Sequence, residues 1–278
     1  MRIAITHVSE YRYDGPRAPT VQALRLTPAP VRGQVVESWQ VAAPGHATAA
    51  RYTDGFGNEV LLVAAPGDLD TVRVEAAGVV ETTDLGGVAG LTTEAVARGT
   101  YLRPTAATAS SPAIEVLARA ELRDKRLATL HGLMQAVHDR VAYVTDSTDA
   151  HTTAAAAFEA RRGVCQDHAH IFIAAARVLG IPARYATGYL LLDDHADAPA
   201  HHAWAEAFVE NIGWIGFDAA NNLCPVDTYV RLGAGLDAVS AAPIRGIRRG
   251  SGRETLTVTV SVRALEPQAG QIQSQTQS

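Results

Sequence analysis

Three side chains in the second half of the chain have the chemistry of a nucleophilic catalyst: Cys165, His202 and Asp218. Cys165 comes directly before residues 166–179, a run without Gly or Pro that is followed by Gly-Ile-Pro. That pattern predicts a helix with a glycine stop, and it places the cysteine at the first turn. The unpaired N–H groups of a helix start favour the thiolate, which is the nucleophilic form of cysteine.

The histidine and the aspartate flank two predicted strands. Residues 203–209 and 213–218 have strand character, and a turn is expected near Asn211. In an antiparallel hairpin His202 and Asp218 would be about equally far from that turn, so we expect them to lie opposite each other. A Cys-His-Asp triad needs this arrangement, because the imidazole moves the proton while the carboxylate fixes its tautomer and stabilises the imidazolium.

Composition describes a globular chain and excludes several classes of function. Of 278 residues, 47% are hydrophobic and 19% are charged, values near the averages for globular proteins. The net charge is -5 and no basic run is longer than two residues, so we expect no nucleic-acid partner. No stretch reaches the roughly 18 apolar residues of a membrane span, and no signal-peptide core follows Met1, which predicts a cytoplasmic protein without a membrane partner. Two cysteines, Cys165 and Cys224, make no disulfide framework.

The first 90 residues read as strands separated by turns rich in Gly, Pro, Asp and Asn, which is typical of an antiparallel β-domain. The strands predicted there cover residues 2–13, 21–26, 35–41, 60–63 and 72–80.

Helical periodicity begins beyond residue 93. Ser111 and Pro112 form a helix-start signal, and apolar stripes predict further helices over 126–140 and 153–160. Three strands follow the cysteine helix, and a last strand with strict alternation over 256–262 has no predictable sheet. We therefore predict an α+β protein, with domains and tail as follows: a β-rich domain at 1–90, a catalytic domain at 91–265 and a disordered, Gln- and Ser-rich tail at 266–278.

Several stretches of this sequence resemble the bacterial transglutaminase-like superfamily. The motifs appear in the family's order: GVCQDHAH at 163–170, LGIPARY at 179–185, HAWAE at 202–206 and GWIGFD at 213–218. The stretches YRY at 11–13, DGFGN at 54–58 and YLRPT at 101–105 are similar to the β-rich N-terminal region of bacterial members, and IRG at 244–246 to their C-terminal end. The resemblance covers roughly residues 1–265.

The resemblance implies a papain-like, transglutaminase-like catalytic core without metal or organic cofactor. In it Cys165 is the nucleophile, His202 the general base and acid, and Asp218 the residue that orients the histidine. His201 is the less favoured base, because His202 directly precedes Ala-Trp as in the family motif. The backbone N–H of Cys165 would donate to the oxyanion, and the second donor is not readable from the motif.

The activity that follows is a cysteine hydrolase, a peptidase or amidase, that cleaves peptide or isopeptide amides through a thioester. Protein-glutamine acyl transfer, as in crosslinking transglutaminases, is the alternative, since the fold does not choose between them. A binding protein with a relic triad is a second alternative. The substrate is expected to be a peptide or protein. Its identity and the oligomeric state, a homo-oligomer included, stay open.

A metal site is the remaining rival. Its candidate ligands would be Cys165, His168, His170, His201, His202 and Cys224. Positions 165, 168 and 170 spread around more than half a helical turn, so they cannot all face one ion. We expect one of His168 and His170 in the core with a backbone partner and the other at the surface, and Cys224 as a free thiol.

Neighbours of the motifs have two interpretations each. Asp167 either interacts with the positive end of its own helix, which we favour, or lines the site. Trp204 and Trp214 either pack beside the histidine and shield it or belong to an ordinary core.

Overall fold

Strands contain more of the chain than helices do, and the α-helices lie in its middle. The computed structural model describes residues 1–15, 18–67, 69–92, 95–192, 201–249 and 252–266, so the predicted tail lies outside the described residues beyond Glu266. The strands are β1 (Arg2–Tyr13), β2 (Thr20–Leu24), β3 (Gln34–Ala42), β4 (Ala50–Thr53), β5 (Glu59–Ala65), β6 (Thr71–Thr82), β7 (Val88–Gly90), β8 (Ala142–Tyr143), β9 (Arg162–Gly163), β10 (Ala183–Leu190), β11 (His201–Val209), β12 (Gly213–Phe217), β13 (Tyr229–Gly235), β14 (Ile244–Arg248) and β15 (Glu254–Leu265). The α-helices are α1 (Pro112–Ala120), α2 (Arg126–Arg140), α3 (Ala154–Ala160) and α4 (Cys165–Val178).

Two antiparallel sheets, in the orders β15-β1-β6-β3 and β14-β2-β5-β4, build the β-rich part. Their apolar residues alternate with exposed ones, as in β1, where Ile3 and Ile5 are buried. The inward residues of both sheets form one core with Leu24, Leu61 and Val74. Alternation of this kind arises because successive side chains of a strand point to opposite faces.

The last two strands, which fall within the predicted catalytic range of 91–265, pair with strands of these two sheets. β15 pairs with β1 along its whole length, from Arg2 opposite Leu265 to Tyr13 opposite Glu254, and β14 pairs with β2. The alternation of β15 identified it as a strand, but pairing with a strand some 250 positions earlier depends on tertiary structure alone.

The remaining part is a five-stranded antiparallel sheet in the order β13-β10-β11-β12-β7, with the helices on one face. β7, from within the predicted domain 1–90, forms its edge. The helix start predicted at Ser111 is confirmed, since the Ser111 hydroxyl accepts a hydrogen bond from the N–H of Ile114 at 3.4 Å. α4 is buried on nearly all sides and packs against β11. None of the helices within the described ranges is long and apolar enough to cross a membrane.

Side-chain amides from the β-rich part cap the free edge of β13. Gln34 donates to the carbonyl of Arg231 at 2.8 Å and accepts from its N–H at 2.7 Å. Asn58 makes the same pair of bonds with Ala234, at 2.7 and 2.8 Å. Because an edge strand presents unpaired backbone groups, these amides act in place of a further strand. The two parts of the molecule are thus joined by hydrogen bonds between side-chain amides of one and backbone groups of the other, and by a common hydrophobic core.

Candidate active site

Cys165 is the first residue of α4, as the sequence predicted, and its thiol is partly exposed. The chain enters the helix through β9, where Gly163 approaches the helix closely. A Cβ at Gly163 would lie 2.6 Å from the Cβ of Asp167, so this entry accepts only glycine without a shift. Asp167 is fully buried and accepts hydrogen bonds from the Val164 N–H at 2.8 Å and the Thr148 hydroxyl at 2.6 Å. These contacts agree with the helix-end role of Asp167, which holds the first turn that presents the cysteine.

His202 and Asp218 meet in a buried hydrogen bond. The distance from Nε2 of His202 to Oδ2 of Asp218 is 2.7 Å, and both residues are almost fully buried. The ladder of β11 and β12 pairs Ala205 with Phe217, so its continuation aligns Asp218 with Trp204. The expectation that the histidine and the aspartate lie opposite each other is therefore wrong by two residues. They are diagonal neighbours on one face, a spacing that such side chains can still bridge.

Cys165 lies close enough to His202 to interact with its ring, and this interaction acts to raise the pKa of the imidazole. Since Nε2 of the ring faces Asp218, Nδ1 is the nitrogen that remains for the thiol. The three residues therefore interact in series: the carboxylate of Asp218 is hydrogen-bonded to the His202 ring, and Cys165 lies next to that ring. In this position the ring can exchange a proton with the thiol while its other nitrogen stays bound.

Asp218 is held by donors on both of its oxygens. Oδ1 accepts from the backbone N–H groups of Ala220 at 3.0 Å and Asn221 at 3.3 Å. Oδ2 accepts from His202, from the Tyr229 hydroxyl at 2.7 Å and from the Asn221 amide at 2.8 Å. Burial alone would raise the pKa of Asp218, but its bonds to the protonated histidine, the tyrosine and the asparagine lower it on balance.

The pKa of His202 is raised to about 10. Burial opposes this rise, and the hydrogen bonds and negative charges of Asp218 and Cys165 outweigh burial. The arrangement therefore stabilises an imidazolium at neutral pH, with the carboxylate on one side and the sulfur on the other.

Tyr143 is a site residue that the sequence analysis missed. It lies in β8, which pairs in parallel with β9, so Tyr143 stands beside Gly163, two residues before the nucleophile. Burial, followed by the charges of Cys165 and Asp218, raises the pKa of Tyr143, and the side chain remains partly exposed. Within the described residues its hydroxyl makes no hydrogen bond. A strand of two residues is too short to show a periodic pattern of apolar residues. The place of Tyr143 beside Gly163 therefore follows only from the pairing of β8 with β9.

Trp204 and Tyr229 form the wall behind the histidine. Trp204 stacks on the His202 ring with centroids 6.5 Å apart, and Tyr229 meets Trp204 edge-on at 5.5 Å. The shielding role expected for Trp204 thus fits its position. Trp214 packs instead against Tyr101 and Phe208, away from the histidine, and belongs to a separate core cluster.

Comparisons with known proteins agree with this geometry. A model of the transglutaminase-like superfamily matches residues 115–219, the segment that contains the three residues above. A model of the bacterial transglutaminase-like N-terminal region matches residues 3–81. An uncharacterized protein of Mycobacterium leprae is 30% identical over 286 aligned positions, which cover 95% of this chain and 99% of that protein. The chain belongs to the transglutaminase-like superfamily.

Other relatives match over different lengths. An uncharacterized protein of Mycobacterium tuberculosis (strain H37Rv) is 32% identical over 128 residues, 42% of this chain and 41% of that protein. The crystal structure of a candidate cysteine protease from Cytophaga hutchinsonii superposes with a TM-score of 0.75 and 24% identity, covering 96% of this chain and 91% of that one. At that identity the likeness concerns the fold: the β-rich part and the transglutaminase-like core occur together in both chains.

His201, the alternative base, lies on the other side of β11 in this family member. Its Nε2 faces the Thr187 hydroxyl at 3.0 Å, and its ring is 6.1 Å from that of His7. Burial, with the neighbouring charges of His7 and His202, lowers the pKa of His201 to about 4. The His201 ring is neutral and bonded to a hydroxyl, and β11 itself separates this ring from Cys165. His202 is the histidine that lies on the side of Cys165.

His168 and His170 are both buried, so the expectation that one lies at the surface is wrong. α4 is covered on nearly all sides, and no face of it is left for an exposed histidine. His168 lies between the carbonyls of Val164 and Val141, each 2.9 Å from a ring nitrogen. His170 accepts from the N–H of Ala238 at 3.1 Å, and burial lowers its pKa to about 4.

The candidate metal ligands named from the sequence do not converge. In the part of the chain that the structure describes, no three His, Cys, Asp or Glu side chains come together as a metal site would need. Cys224 is a free, partly exposed thiol beyond β12, as expected, and burial raises its pKa to about 11.

Proposed function

We propose that the chain is a cysteine hydrolase that cleaves peptide or isopeptide amides through a thioester on Cys165. Support comes above all from one observation: His202 is hydrogen-bonded to Asp218 and interacts with Cys165 at the N-terminus of α4. Membership of the transglutaminase-like superfamily is consistent with a cysteine-dependent catalyst. A peptide or protein is the proposed substrate.

The reaction begins with the thiolate of Cys165 and the imidazolium of His202. Sγ attacks the carbonyl carbon of the amide, and the negative charge moves to the carbonyl oxygen. As the C–N bond breaks, the imidazolium gives its proton to the leaving nitrogen, which leaves a thioester and a neutral histidine. His202 then takes a proton from water, the hydroxide attacks the thioester, and Sγ leaves as thiolate. Asp218 keeps the ring in the correct tautomer throughout and stabilises its positive charge.

Two donors are proposed for the oxyanion. The backbone N–H of Cys165 begins α4 and has no acceptor within its own helix. The Tyr143 hydroxyl, whose pKa responds to burial and to the charges of Cys165 and Asp218, is the proposed second donor. Both would stabilise charge that develops on the carbonyl oxygen.

The test is mass spectrometry of a Gln-containing peptide library incubated with the protein, with and without a primary amine. Cleaved or deamidated peptides whose yield is the same with and without the amine would support the proposed hydrolase activity. Peptides that gain the mass of the amine would instead establish the acyltransferase. The Cys165→Ala protein is the control, since any product it forms does not come from this thiol. The cytoplasmic location stays a prediction from the sequence.

A further inference from the structure

Oδ2 of Asp218 accepts one hydrogen bond more than a triad and its local turn require. His202 is its partner in the triad, and Asn221 follows Asp218 in the same turn. The third donor is the hydroxyl of Tyr229, which lies at 2.7 Å and comes from β13, a strand separated from β12 by β10 and β11. No motif predicted a role for this tyrosine.

Neighbouring rings fix the position of Tyr229. Its ring is perpendicular to that of Trp204, at 89° and 5.5 Å, and lies 5.9 Å from that of His202. Tyr229 pairs with Leu190 in the sheet and is only 6% exposed. The ladder fixes the backbone and the two neighbouring rings fix the side chain, so the hydroxyl is held within hydrogen-bond distance of Asp218.

We propose that Tyr229 is a positioning residue of the triad. Its O–H holds the carboxylate in line with Nε2 of His202 and limits how strongly that carboxylate binds the imidazolium. The physical reason is that the donors share one oxygen: each N–H or O–H that binds Oδ2 withdraws charge from the bond to His202. This role rests on the proposed function, because it acts through His202.

The direction of the effect follows from the groups around the pair. Titratable groups that face Asp218 and His202 are Cys165 on α4, Tyr143 on β8 and Tyr229 on β13, while His201 interacts electrostatically with His202 from the opposite face of β11. The hydrogen bond of Tyr229 is one of the contacts that lower the pKa of Asp218. Without it the carboxylate becomes more basic, its bond to the imidazolium strengthens, and the pKa of His202 rises.

The experiment is an NMR titration of the His202 ring, assigned by its loss in His202→Ala, in the parent protein and in Tyr229→Phe. We expect the pKa of His202 to move upward in Tyr229→Phe by about half a pH unit to one unit. The matched control is Tyr189→Phe, which removes a hydroxyl that is equally buried but bonded to His7 at 3.0 Å. The Tyr189→Phe substitution should leave the pKa of His202 unchanged.

A second variant tests the proposal should Tyr229→Phe fail to fold. Asn221→Ala removes another donor to Oδ2 from an exposed residue and should also shift His202 upward. An unchanged pKa in the variants, or an equal shift in Tyr189→Phe, would overturn the positioning role of Tyr229. A parent His202 that titrates near its ordinary value of about 6.5 would instead contradict the proposed triad itself, so the two failures are distinguishable.

Discussion

Asp218 aligns with Trp204 in the strand register, yet its Oδ2 lies 2.7 Å from Nε2 of His202, two residues earlier. The contact is possible because Asp218 follows the last residue of β12, where the ladder ends and an isolated bridge to Leu223 begins. Because Asp218 lies beyond the regular ladder, its carboxylate can bind His202 instead of lying beside Trp204. The backbone N–H groups of the following turn hold it there.

The first prediction concerns the three proposed catalytic residues. Cys165→Ala and His202→Ala should abolish turnover, because the nucleophile and the proton carrier have no substitute. Asp218→Asn should leave a partial activity, since the ring can still reach the thiol without its counter-charge. Product yield from the peptide library measures all three. Full activity in Cys165→Ala would refute the mechanism.

The alkaline limit of activity should depend on Asp218. Because the folded pKa of His202 is raised to about 10, above its ordinary value of about 6.5, the ring stays protonated through neutral pH and loses its proton as the pH rises through about 10. Activity should therefore persist well above neutral pH and then decline. In Asp218→Asn that decline should begin at a lower pH, because the anionic partner of the imidazolium is gone. A pH profile of the initial rate measures this decline in both proteins. If activity declined over the same alkaline range in the parent and in Asp218→Asn, the role of Asp218 as partner of the imidazolium would be contradicted.

Local sequence patterns predicted the elements that carry the site. Alternating apolar residues predicted β1, the glycine stop predicted the end of α4, and the order of the motifs named the three residues of the proposed triad. β13 was not predicted from the sequence. Residues 229–235 include an arginine and two glycines and are buried throughout, so they do not show the alternation of apolar and polar residues that marks a strand. Its edge is completed by Gln34 and Asn58, and such long-range partners leave no local signal.

A second group of features depends on pairing rather than pattern. The strictly alternating β15 was identifiable as a strand, but nothing local indicates that β1 is its neighbour. Tyr143 was missed for the same reason, since the β8 strand that presents it has only two residues. Prediction from sequence therefore succeeded where one stretch of chain determines its own state, and failed where two distant stretches determine it together.

Removal of the Tyr143 hydroxyl should slow the reaction without preventing alkylation of the thiol. Tyr143→Phe keeps the ring beside Gly163, but it removes the proposed second oxyanion donor, and one such donor is worth about 10²–10³ in kcat. KM should change little, because the charge on the oxygen develops only in the transition state. Initial rates give both constants, and iodoacetamide labelling of Cys165 is the control for an intact nucleophile. A kcat equal to that of the parent would exclude the donor role.

Glu206 should limit the stability of the protein in acid. It is buried between Arg184 at 2.6 Å and Arg231 at 2.7 Å. Burial acts to raise the pKa of Glu206, but the two guanidinium groups outweigh burial and lower it to about 2. The stabilisation is therefore complete above the unfolded pKa of about 4.5 and is lost as the pH falls towards 2.

Glu206→Gln tests this directly. At pH 7 the variant should lose about 3–5 kcal/mol in the free energy of unfolding, because two buried cations lose their carboxylate. The difference from the parent should shrink as the pH falls from about 4.5 towards 2. Urea unfolding at several pH values measures it. Glu115→Gln, which breaks an exposed ion pair with Arg119, is the control and should change stability by less than about 0.5 kcal/mol. A constant difference across the acid range would show that the charge of Glu206 is not the cause.

The amide caps on β13 should make the two parts of the molecule unfold together. Gln34→Ala leaves the buried N–H and C=O of Arg231 without their partner, at a cost of about 1–3 kcal/mol for each group. Gln40→Ala, an exposed glutamine of the same strand, is the matched control and should be nearly neutral. We expect Gln34→Ala to lower the midpoint of the parent's single urea transition while Trp39 in the β-rich part and circular dichroism of the helices still report the same midpoint. Separate midpoints in the parent would mean that the edge contacts do not couple the two parts, and an unchanged midpoint in Gln34→Ala would remove the amide cap as their link.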